Sequence, residues 1–400
     1  MVHPTGPGAL DVVATQPSLW RIAMDSGMLE DIGCEEADMR RDHRSARLAV
    51  ATAGVAAMLA LAGCTVSSTP SPSSSEGSST LATGLQAPWS IVVLDDGGAL
   101  ISQRGDGKVL EVTASGQLRT AGTVPGVVSG GEAGLNGLAV REIDGIRWLY
   151  AYHATEEDNR VVRMPLSGEP GSLSLDTGQV EDVVTGIPRA ANHDGGRIAF
   201  GPDGMLYIGT GDAGQRERAR DRAYLGGKIL RVTPDGEPAP GNPFGTAVYS
   251  IGHRNVQGLA WDDSGALWAS EFGQDTWDEL NRIEAGGDYG WPDHEGKAGA
   301  ADAIDPIAVW KPADASPSGI AMVDGTLFIA ALRGERVWAF DPSHPETEPW
   351  RARFTEEYGR VRDVAAGPGG RLWLLTNNTD GRGQPREGDD RLVQPAFVEG

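Results

Sequence analysis

Six copies of one hairpin pattern run through the sequence from Leu81 onwards, and they constrain the fold more than any other feature. In each copy a strand of small apolar residues leads into a glycine-containing turn, and the second strand carries a large apolar residue. The turns contain Gly98, Gly145, Gly204, Gly265, Gly325 and Gly370. Successive turn glycines lie 45 to 61 residues apart, and one four-stranded propeller blade needs roughly 40–50 residues. We therefore predict an all-β fold, a six-bladed β-propeller of four-stranded antiparallel blades.

The composition agrees with this fold and limits the class of partner. The chain has 400 residues with 56 glycines and 25 prolines, which favours many turns and short strands over long helices. A β-sandwich is the alternative, although a sandwich would rarely repeat one hairpin six times. The formal net charge of −22 argues against a nucleic-acid partner, because phosphate binding needs a basic face.

The chain divides into four predicted regions. Residues 1–38 look like neither a signal nor a domain, which indicates a start site assigned too early or a disordered segment. We predict that residues 39–64 are a lipoprotein signal peptide ending at Cys64. The Ser/Thr/Pro-rich residues 65–80 are predicted to be a disordered linker. Residues 81–400 are the predicted propeller.

The signal prediction rests on an apolar run, Leu48–Gly63, which follows four arginines and ends Leu-Ala-Gly before Cys64. A basic segment, a short apolar segment and small residues at the cleavage site describe a secretory signal. The ending resembles a bacterial lipobox, in which the cysteine is lipidated. A transmembrane anchor is the alternative, but the run is short for a membrane span. The sequence thus predicts an extracytoplasmic protein, attached to the cell surface only through lipid on Cys64.

The third hairpin, within Asn192–Asp212, contains a candidate acid–base pair. Its two strands meet at Pro202-Asp203-Gly204, a strong turn signal. Folding the hairpin brings His193, before the first strand, near Asp212, after the second. A histidine beside a carboxylate can transfer protons. A surface histidine and a turn aspartate are the alternative interpretation.

The hairpin repeat also predicts where the functional face lies. Equivalent strands of successive blades point the same way, so residues at equivalent offsets from the turn glycines lie on one face. His193 and Arg254 each precede their turn glycine by eleven residues, and Arg360 precedes its own by ten. We expect these side chains around one mouth of the central channel, on loops held by a rigid scaffold. Ordinary loop polarity is the alternative, but it does not account for the matching offsets.

Several motifs in fixed order resemble one known family. They are Gly226-Gly227-Lys228-Ile229-Leu230-Arg231, Asn242-Pro243-Phe244, His253-Arg254-Asn255-Val256-Gln257-Gly258, Glu271-Phe272-Gly273-Gln274 and Gly287-Asp288-Tyr289-Gly290-Trp291-Pro292. Together with the third hairpin, they resemble the glucose/sorbosone dehydrogenase family over about Leu81 to Asn377. The resemblance implies a soluble aldose sugar dehydrogenase that uses pyrroloquinoline quinone (PQQ) on a six-bladed propeller.

The resemblance implies roles for individual side chains. His193 matches the base that takes the proton of a sugar hydroxyl, Asp212 the carboxylate that orients it, and Arg254 a catalytic cation at the cofactor quinone. PQQ carries three carboxylates, and arginine pairs with carboxylates in a bidentate geometry. The positions implied to bind the cofactor are Glu132, Arg254, Asn255, Arg333, Arg360 and Arg362.

Calcium is the second implied cofactor, and it prefers oxygen ligands that include backbone carbonyls. The carbonyls of Gly273 and Gln274 match positions that present calcium to the cofactor. Glu279 and the carbonyl of Tyr289, with Asp278 beside them, match a second, structural calcium site. For the two acidic residues, a solvated acidic turn is the alternative.

Five positions depart from the family pattern, and two of them are Asp288, which replaces an asparagine, and Asn136, which falls where an apolar residue is common. Phe272 replaces a histidine, Gln274 replaces a proline, and Arg333 stands where relatives carry lysine. The Arg-x-Arg pair at positions 360 and 362 is intact, as is the histidine base. We expect an enzyme that oxidises aldose sugars to lactones and passes the electrons to an external acceptor. A calcium-dependent lactonase-like hydrolase and a non-catalytic propeller that binds carbohydrate or protein are the alternatives.

Overall fold

Each predicted hairpin forms the first two strands of a four-stranded antiparallel blade. The structure is a computed structural model, and it describes residues 77–345 and 350–396. All of these residues belong to one compact unit. The predictions for residues 1–38 and 39–64, and for the lipidation of Cys64, concern residues outside the described ranges. The described residues form strands, turns and a single-turn 3-10 helix at Arg216–Arg218.

The first two complete blades span residues 88–187. Among the described residues, the first strand is β1 (Ser79–Ala82), which precedes these two blades. Blade 1 contains β2 (Pro88–Val93), β3 (Ala99–Gln103), β4 (Lys108–Val112) and β5 (Leu118–Thr123). Blade 2 contains β6 (Leu135–Ile143), β7 (Ile146–Ala154), β8 (Asn159–Ser167) and β10 (Glu181–Ile187), with the short β9 (Ser174–Leu175) paired to β8.

The remaining blades repeat the same strand order. Blade 3 contains β11 (Ile198–Phe200), β12 (Leu206–Gly209), β13 (Ile229–Val232) and β14 (Val248–Ser250). Blade 4 contains β15 (Val256–Trp261), β16 (Leu267–Glu271), β17 (Asp278–Ile283) and β18 (Ala308–Trp310). Blade 5 contains β19 (Pro317–Val323), β20 (Thr326–Ala331), β21 (Arg336–Phe340) and β22 (Arg351–Arg353). Blade 6 contains β23 (Val361–Gly367), β24 (Arg371–Thr376) and β25 (Leu392–Gln394).

The N-terminal strand closes the ring. β1 pairs with β25 as the outer strand of blade 6, with Ser79 opposite Gln394 and Thr80 opposite Val393. The first strands of the six blades contact one another in cyclic order, so the sixth blade also meets the first. The prediction of a six-bladed propeller is confirmed. The predicted linker was too long by two residues, because Ser79 and Thr80 belong to β1.

The hydrophobic core is divided among the blade interfaces. Six clusters of buried apolar residues each combine side chains from two neighbouring blades. Both faces of every blade are therefore covered, which explains why inner strands read as nearly continuous apolar runs. Among the described residues, no helix has the length and hydropathy that a bilayer span requires. All six first-to-second-strand turns lie at one end of the propeller, so the loops at the other end are free to carry a site.

Candidate active site

A cavity opens at the predicted face, and all six blades contribute to its lining. Strand ends and loops supply apolar, polar and charged side chains, including Trp89 and Phe272. Five of the charged residues are arginines and two are carboxylates. They are Arg104, Glu132, Arg333, Arg360, Arg362, Asp380 and Arg382. The predicted cofactor positions Glu132, Arg333, Arg360 and Arg362 thus surround one cavity.

Arg362 is the most buried of these arginines, with 5% of its surface exposed. Its guanidinium lies 4.2 Å from the ring centroid of Trp89, and Nη2 donates a hydrogen bond of 2.7 Å to Gln257. Its Nε has no hydrogen-bond partner among the described residues. Burial, followed by the charges of Arg197 and Arg104, lowers the pKa of Arg362 well below its usual value. The site therefore holds a buried cation without a matching anion.

Arg360 differs from Arg362 because it has a carboxylate partner. Its Nη2 lies 3.1 Å from Oδ2 of Asp380, and its Nε donates to the carbonyl of Asn377. Arg104, Arg333 and Arg382 form no ion pair within the described ranges. The cavity consequently has a local excess of positive charge in a chain whose formal net charge is −22.

His193 and Asp212 form the pair that the third hairpin predicts. Nδ1 of His193 lies 2.7 Å from Oδ1 of Asp212. The His193 side chain is 14% exposed, and that of Asp212 only 1%. Between the two, Gly211 permits the close approach, because a Cβ there would lie 1.8 Å from the carbonyl oxygen of His193. A histidine that donates Nδ1–H to a carboxylate keeps Nε2 as a proton acceptor.

Three donors hold the carboxylate of Asp212. Oδ1 accepts from His193 and from the backbone N–H of Gly214 at 2.7 Å, and Oδ2 accepts from Nε1 of Trp291 at 2.8 Å. Burial raises the pKa of Asp212, but the hydrogen bond and charge of His193, with the other two donors, outweigh burial and leave that pKa below its usual value. Asp212 is thus held as a fixed, ionised partner of the histidine.

Glu132 connects the histidine to the cavity. Its Oε2 accepts from the backbone N–H of His193 at 2.8 Å and from Nδ2 of Asn255 at 3.2 Å. Asn255 is fully buried, and its Oδ1 accepts from Gly195 and Gln257. The structure therefore uses the Asn255 amide to join three blades. The Asn255 side chain does not line the cavity, and its contact with a cofactor stays a prediction.

Arg254 lies next to the His193–Asp212 pair, and its side chain is held by the segment that follows β16. Nη1 donates to the carbonyl of Phe272 at 3.0 Å, and Nη2 and Nε donate to Oε1 of Gln274 at 3.0 and 3.3 Å. Its guanidinium lies 5.4 Å from the ring centroid of Trp291. Burial lowers the pKa of Arg254, while Asp212 acts in the opposite direction. The Gln274 side chain, at a position where the family pattern has proline, thus fixes the predicted catalytic cation.

Asp278 has a structural explanation in this fold. Its Oδ1 accepts from the backbone N–H of Gly273 at 2.9 Å, and its Oδ2 accepts from that of Ser316 at 2.7 Å. Burial raises the pKa of Asp278 to about 6. The carboxylate therefore connects blade 4 to the residue that precedes β19, and calcium binding by Asp278 stays a prediction.

Glu279 is the second acidic residue of the predicted calcium site, and it faces Glu271 across neighbouring strands. Its carboxylate accepts from the backbone N–H of Gly296 at 2.6 Å and from Nδ2 of Asn281 at 3.2 Å. Burial, and then the charge of Glu271, raise the pKa of Glu279 to about 8. The described residues include no group of three or more His, Cys, Asp or Glu side chains arranged around a metal position. Any calcium here would need backbone carbonyls or water as further ligands.

Tyr289 is buried, with its ring stacked on that of His253 at a centroid distance of 4.7 Å. Nε2 of His253 lies 2.8 Å from Oγ of Ser250, and Nδ1 of His253 lies 2.7 Å from Oε2 of Glu271. A serine, a histidine and a glutamate in this order resemble a hydrolase triad. All three are buried, so the described structure gives a substrate no access to them.

Part of the cavity wall consists of residues that were not predicted from the sequence. Arg104 lies six residues after Gly98, the same offset as Glu271 after Gly265, so the repeat could have identified it. Arg382 and Asp380 belong to the long connection between β24 and β25, for which the repeat makes no prediction.

The chain is similar in sequence to proteins of known family. Residues 85–384 match the glucose/sorbosone dehydrogenase family. An aldose sugar dehydrogenase of Escherichia coli is 31% identical over 341 residues, which cover 74% of this chain and 89% of that protein. A quinoprotein glucose dehydrogenase B of Acinetobacter calcoaceticus is 29% identical over 247 residues, 53% of this chain and 51% of that protein.

A solved structure shows the same fold at higher identity. It is the PQQ-bound form of an aldose sugar dehydrogenase from Streptomyces coelicolor, which is 50% identical, with a TM-score of 0.76. The match covers 79% of this chain and 96% of that chain. By its sequence match and its six-bladed fold, the chain belongs to the glucose/sorbosone dehydrogenase family.

Proposed function

We propose that this protein is a PQQ-dependent dehydrogenase that oxidises an aldose sugar to its lactone and passes the electrons to an external acceptor. The charge of the cavity carries the proposal. Five arginines and two carboxylates line it, so the difference is three positive charges, which match the three carboxylates of PQQ. The PQQ-bound relative and the quinoprotein relative support the same cofactor.

The cavity residues fit PQQ in kind as well as in charge. Arg360 and Arg362 are buried donors that would pair with cofactor carboxylates, and Nε of Arg362 is an orphaned donor that such a pairing would satisfy. Arg333 and Glu132 would complete the binding site at the mouth. When bound, PQQ supplies the redox chemistry as the acceptor of a hydride from the sugar.

His193 is the proposed general base. Its Nδ1–H is donated to Asp212, so Nε2 is available to take the proton of the sugar hydroxyl. The hydride leaves the carbon that bears this hydroxyl. Asp212 stabilises the resulting imidazolium and prevents the ring from turning. Arg254 contributes a fixed positive charge near the pair, and it would stabilise the negative charge that the cofactor acquires with the hydride.

We also propose that calcium binds at Glu279, with the carbonyl of Tyr289 as a further ligand. The observation in favour is that Glu279 is buried opposite Glu271 and forms no ion pair with another described side chain. A divalent cation would neutralise this pair of carboxylates. For the cofactor-side calcium, the proposed ligands are the carbonyls of Gly273 and Gln274.

The proposed location is the extracytoplasmic face of the membrane, with lipid on Cys64 as the anchor. The support is the signal pattern of residues 39–64. Metabolic labelling with a radioactive fatty acid tests it. Label should enter the wild-type protein and be absent from a Cys64→Ala variant, and label that persists in the variant contradicts the assignment.

Dye-coupled turnover of the full chain tests the proposed function. The protein is mixed with PQQ and Ca²⁺ and then offered a panel of aldoses with an artificial electron acceptor. We expect dye reduction that depends on both sugar and PQQ, with lactone as the product. Absence of both PQQ binding and dye reduction contradicts the proposal, and sugar binding alone would favour a non-catalytic propeller.

A further inference from the structure

Trp291 connects two elements of the proposed catalytic machinery. Its indole Nε1 donates to Oδ2 of Asp212 at 2.8 Å, and its ring lies beside the guanidinium of Arg254, at 5.4 Å. Only 7% of the Trp291 surface is exposed. Trp291 and His193 thus bind different oxygens of the Asp212 carboxylate, Oδ2 and Oδ1 respectively.

The backbone around Trp291 is pinned to the segment that carries Arg254. Trp291 donates its N–H to the carbonyl of Gly252 at 3.0 Å, and Tyr289 donates to Ile251 at 3.0 Å. Gly252 has a φ of 75°, and a Cβ there would lie 2.3 Å from Oδ1 of Asp288. This close approach requires glycine. The position of the indole is therefore set by backbone hydrogen bonds at Trp291 itself and two residues before it.

A second anchor holds the same loop from outside. Arg220 donates to Asp288 at 2.7 Å, to Asp293 at 2.9 Å and to Asp302 at 3.0 Å. The three aspartates flank Trp291 on both sides in the sequence. One arginine thus ties down the loop whose indole reaches into the site.

We propose that Trp291 is a positioning residue for the His193–Asp212 pair. Its N–H fixes Oδ2 of Asp212, which keeps Oδ1 on Nδ1 of His193 and leaves Nε2 free for the sugar proton. Without this donor, the carboxylate can rotate, and the imidazole loses its fixed tautomer and orientation. The inference rests on the proposed function, because it assigns Trp291 to the base of that reaction.

The test uses the full chain with Trp291→Phe, which removes the donor and keeps an aromatic ring. We expect kcat to fall by roughly 10- to 100-fold, a part of what a general base contributes. KM for the sugar and the affinity for PQQ should change little. An isosteric benzothienylalanine at position 291, which replaces only the N–H by sulfur, should give the same loss even if the Phe variant folds poorly.

A second readout needs no cofactor and no turnover. In the cofactor-free wild type, we expect a downfield proton resonance from His193 Nδ1–H, assigned by its loss in His193→Gln. Both position-291 variants should broaden or lose this signal, because the proton then exchanges with water. A merely structural role for Trp291 would leave it unchanged in any variant that folds.

Trp268 offers a matched control at the opposite end of the propeller. Its buried indole also donates to an aspartate, Oδ2 of Asp262, at 2.9 Å. Trp268→Phe should retain both kcat and the resonance. The positioning role is overturned if the position-291 variants keep wild-type kcat and the resonance. If the wild type itself fails to turn over any aldose, the proposed function fails, while the resonance still decides whether Trp291 orders the pair.

Discussion

Arg197 of blade 3 and Asp363 of blade 6 form a buried ion pair across the central channel, with Nη1 and Oδ2 2.9 Å apart. The same carboxylate oxygen accepts from the backbone N–H of Ile91 in blade 1. Nε of Arg197 donates to the carbonyl of Gln257 in blade 4. One pair thus joins four of the six blades. Asp363 and Arg197 are only 2% and 7% exposed, so neither charge is solvated by water.

Removing Asp363 should therefore destabilise the whole ring. We expect Asp363→Ala to lower the free energy of unfolding by about 3–5 kcal/mol, because Arg197 is left buried without its partner. Urea unfolding of the full chain measures the change. Asp235→Ala is the control, since Asp235 pairs with Arg163 at the surface with 70% of its side chain exposed, and its loss should be below about 1 kcal/mol. An equal decrease in the free energy of unfolding of both variants would contradict this role of Asp363.

Lys228 should make stability depend on pH. Its Nζ lies 2.6 Å from the carbonyl of Ala219 and 2.7 Å from that of Gly226, and burial lowers the pKa of Lys228 from 10.5 to about 7. Between those pH values the unfolded chain binds a proton that the folded chain lacks. The free energy of unfolding of the wild type, relative to Lys228→Met, should then rise with pH, by up to about 1.4 kcal/mol per unit. A difference that is constant from pH 7 to 10 would show that the buried lysine stays charged.

Calcium removal should lower the melting temperature. If calcium binds at Glu279, a chelator removes a ligand that binds only the folded chain, so the Tm falls by several degrees and recovers with added Ca²⁺. Glu279→Gln should abolish this calcium-dependent shift. Glu284→Gln, at an exposed position nearby, should retain it. A chelator-insensitive Tm in the wild type would argue against the site.

Local patterns predicted the blades and the face of the site because both depend on short-range features. A turn glycine fixes where two strands reverse, and the offset from it fixes which end of the blade a residue occupies. His193 and Asp212 therefore meet at the predicted place, 2.7 Å apart. No such local pattern predicts that β1 closes the propeller ring. Ser79 and Thr80 belong to a Ser/Thr-rich run, and their partner strand lies at the other end of the chain.

Side-chain orientation was the least predictable feature. A motif places Asn255 beside Arg254 but does not say that its amide joins Glu132, Gly195 and Gln257 instead of lining the cavity. Similarly, the family resemblance implies a role for Gln274 only through its carbonyl, whereas its side chain holds Arg254. The bonds of Asn255 to Glu132 and Gly195 join different blades, so they arise only when the ring is assembled. The bond of Gln274 to Arg254 depends on a side-chain conformation, which residue spacing does not specify.

The most direct test of the central claim compares turnover by the wild type and His193→Gln at equal PQQ occupancy. Both full-length proteins are loaded with PQQ and Ca²⁺, the bound cofactor is quantified, and dye reduction is measured with the best aldose of the panel. We predict that His193→Gln binds PQQ as the wild type does, while its kcat falls by at least ~10²-fold, the usual contribution of a general base. Wild-type turnover in His193→Gln, with PQQ bound, would contradict the assignment of His193 as the base.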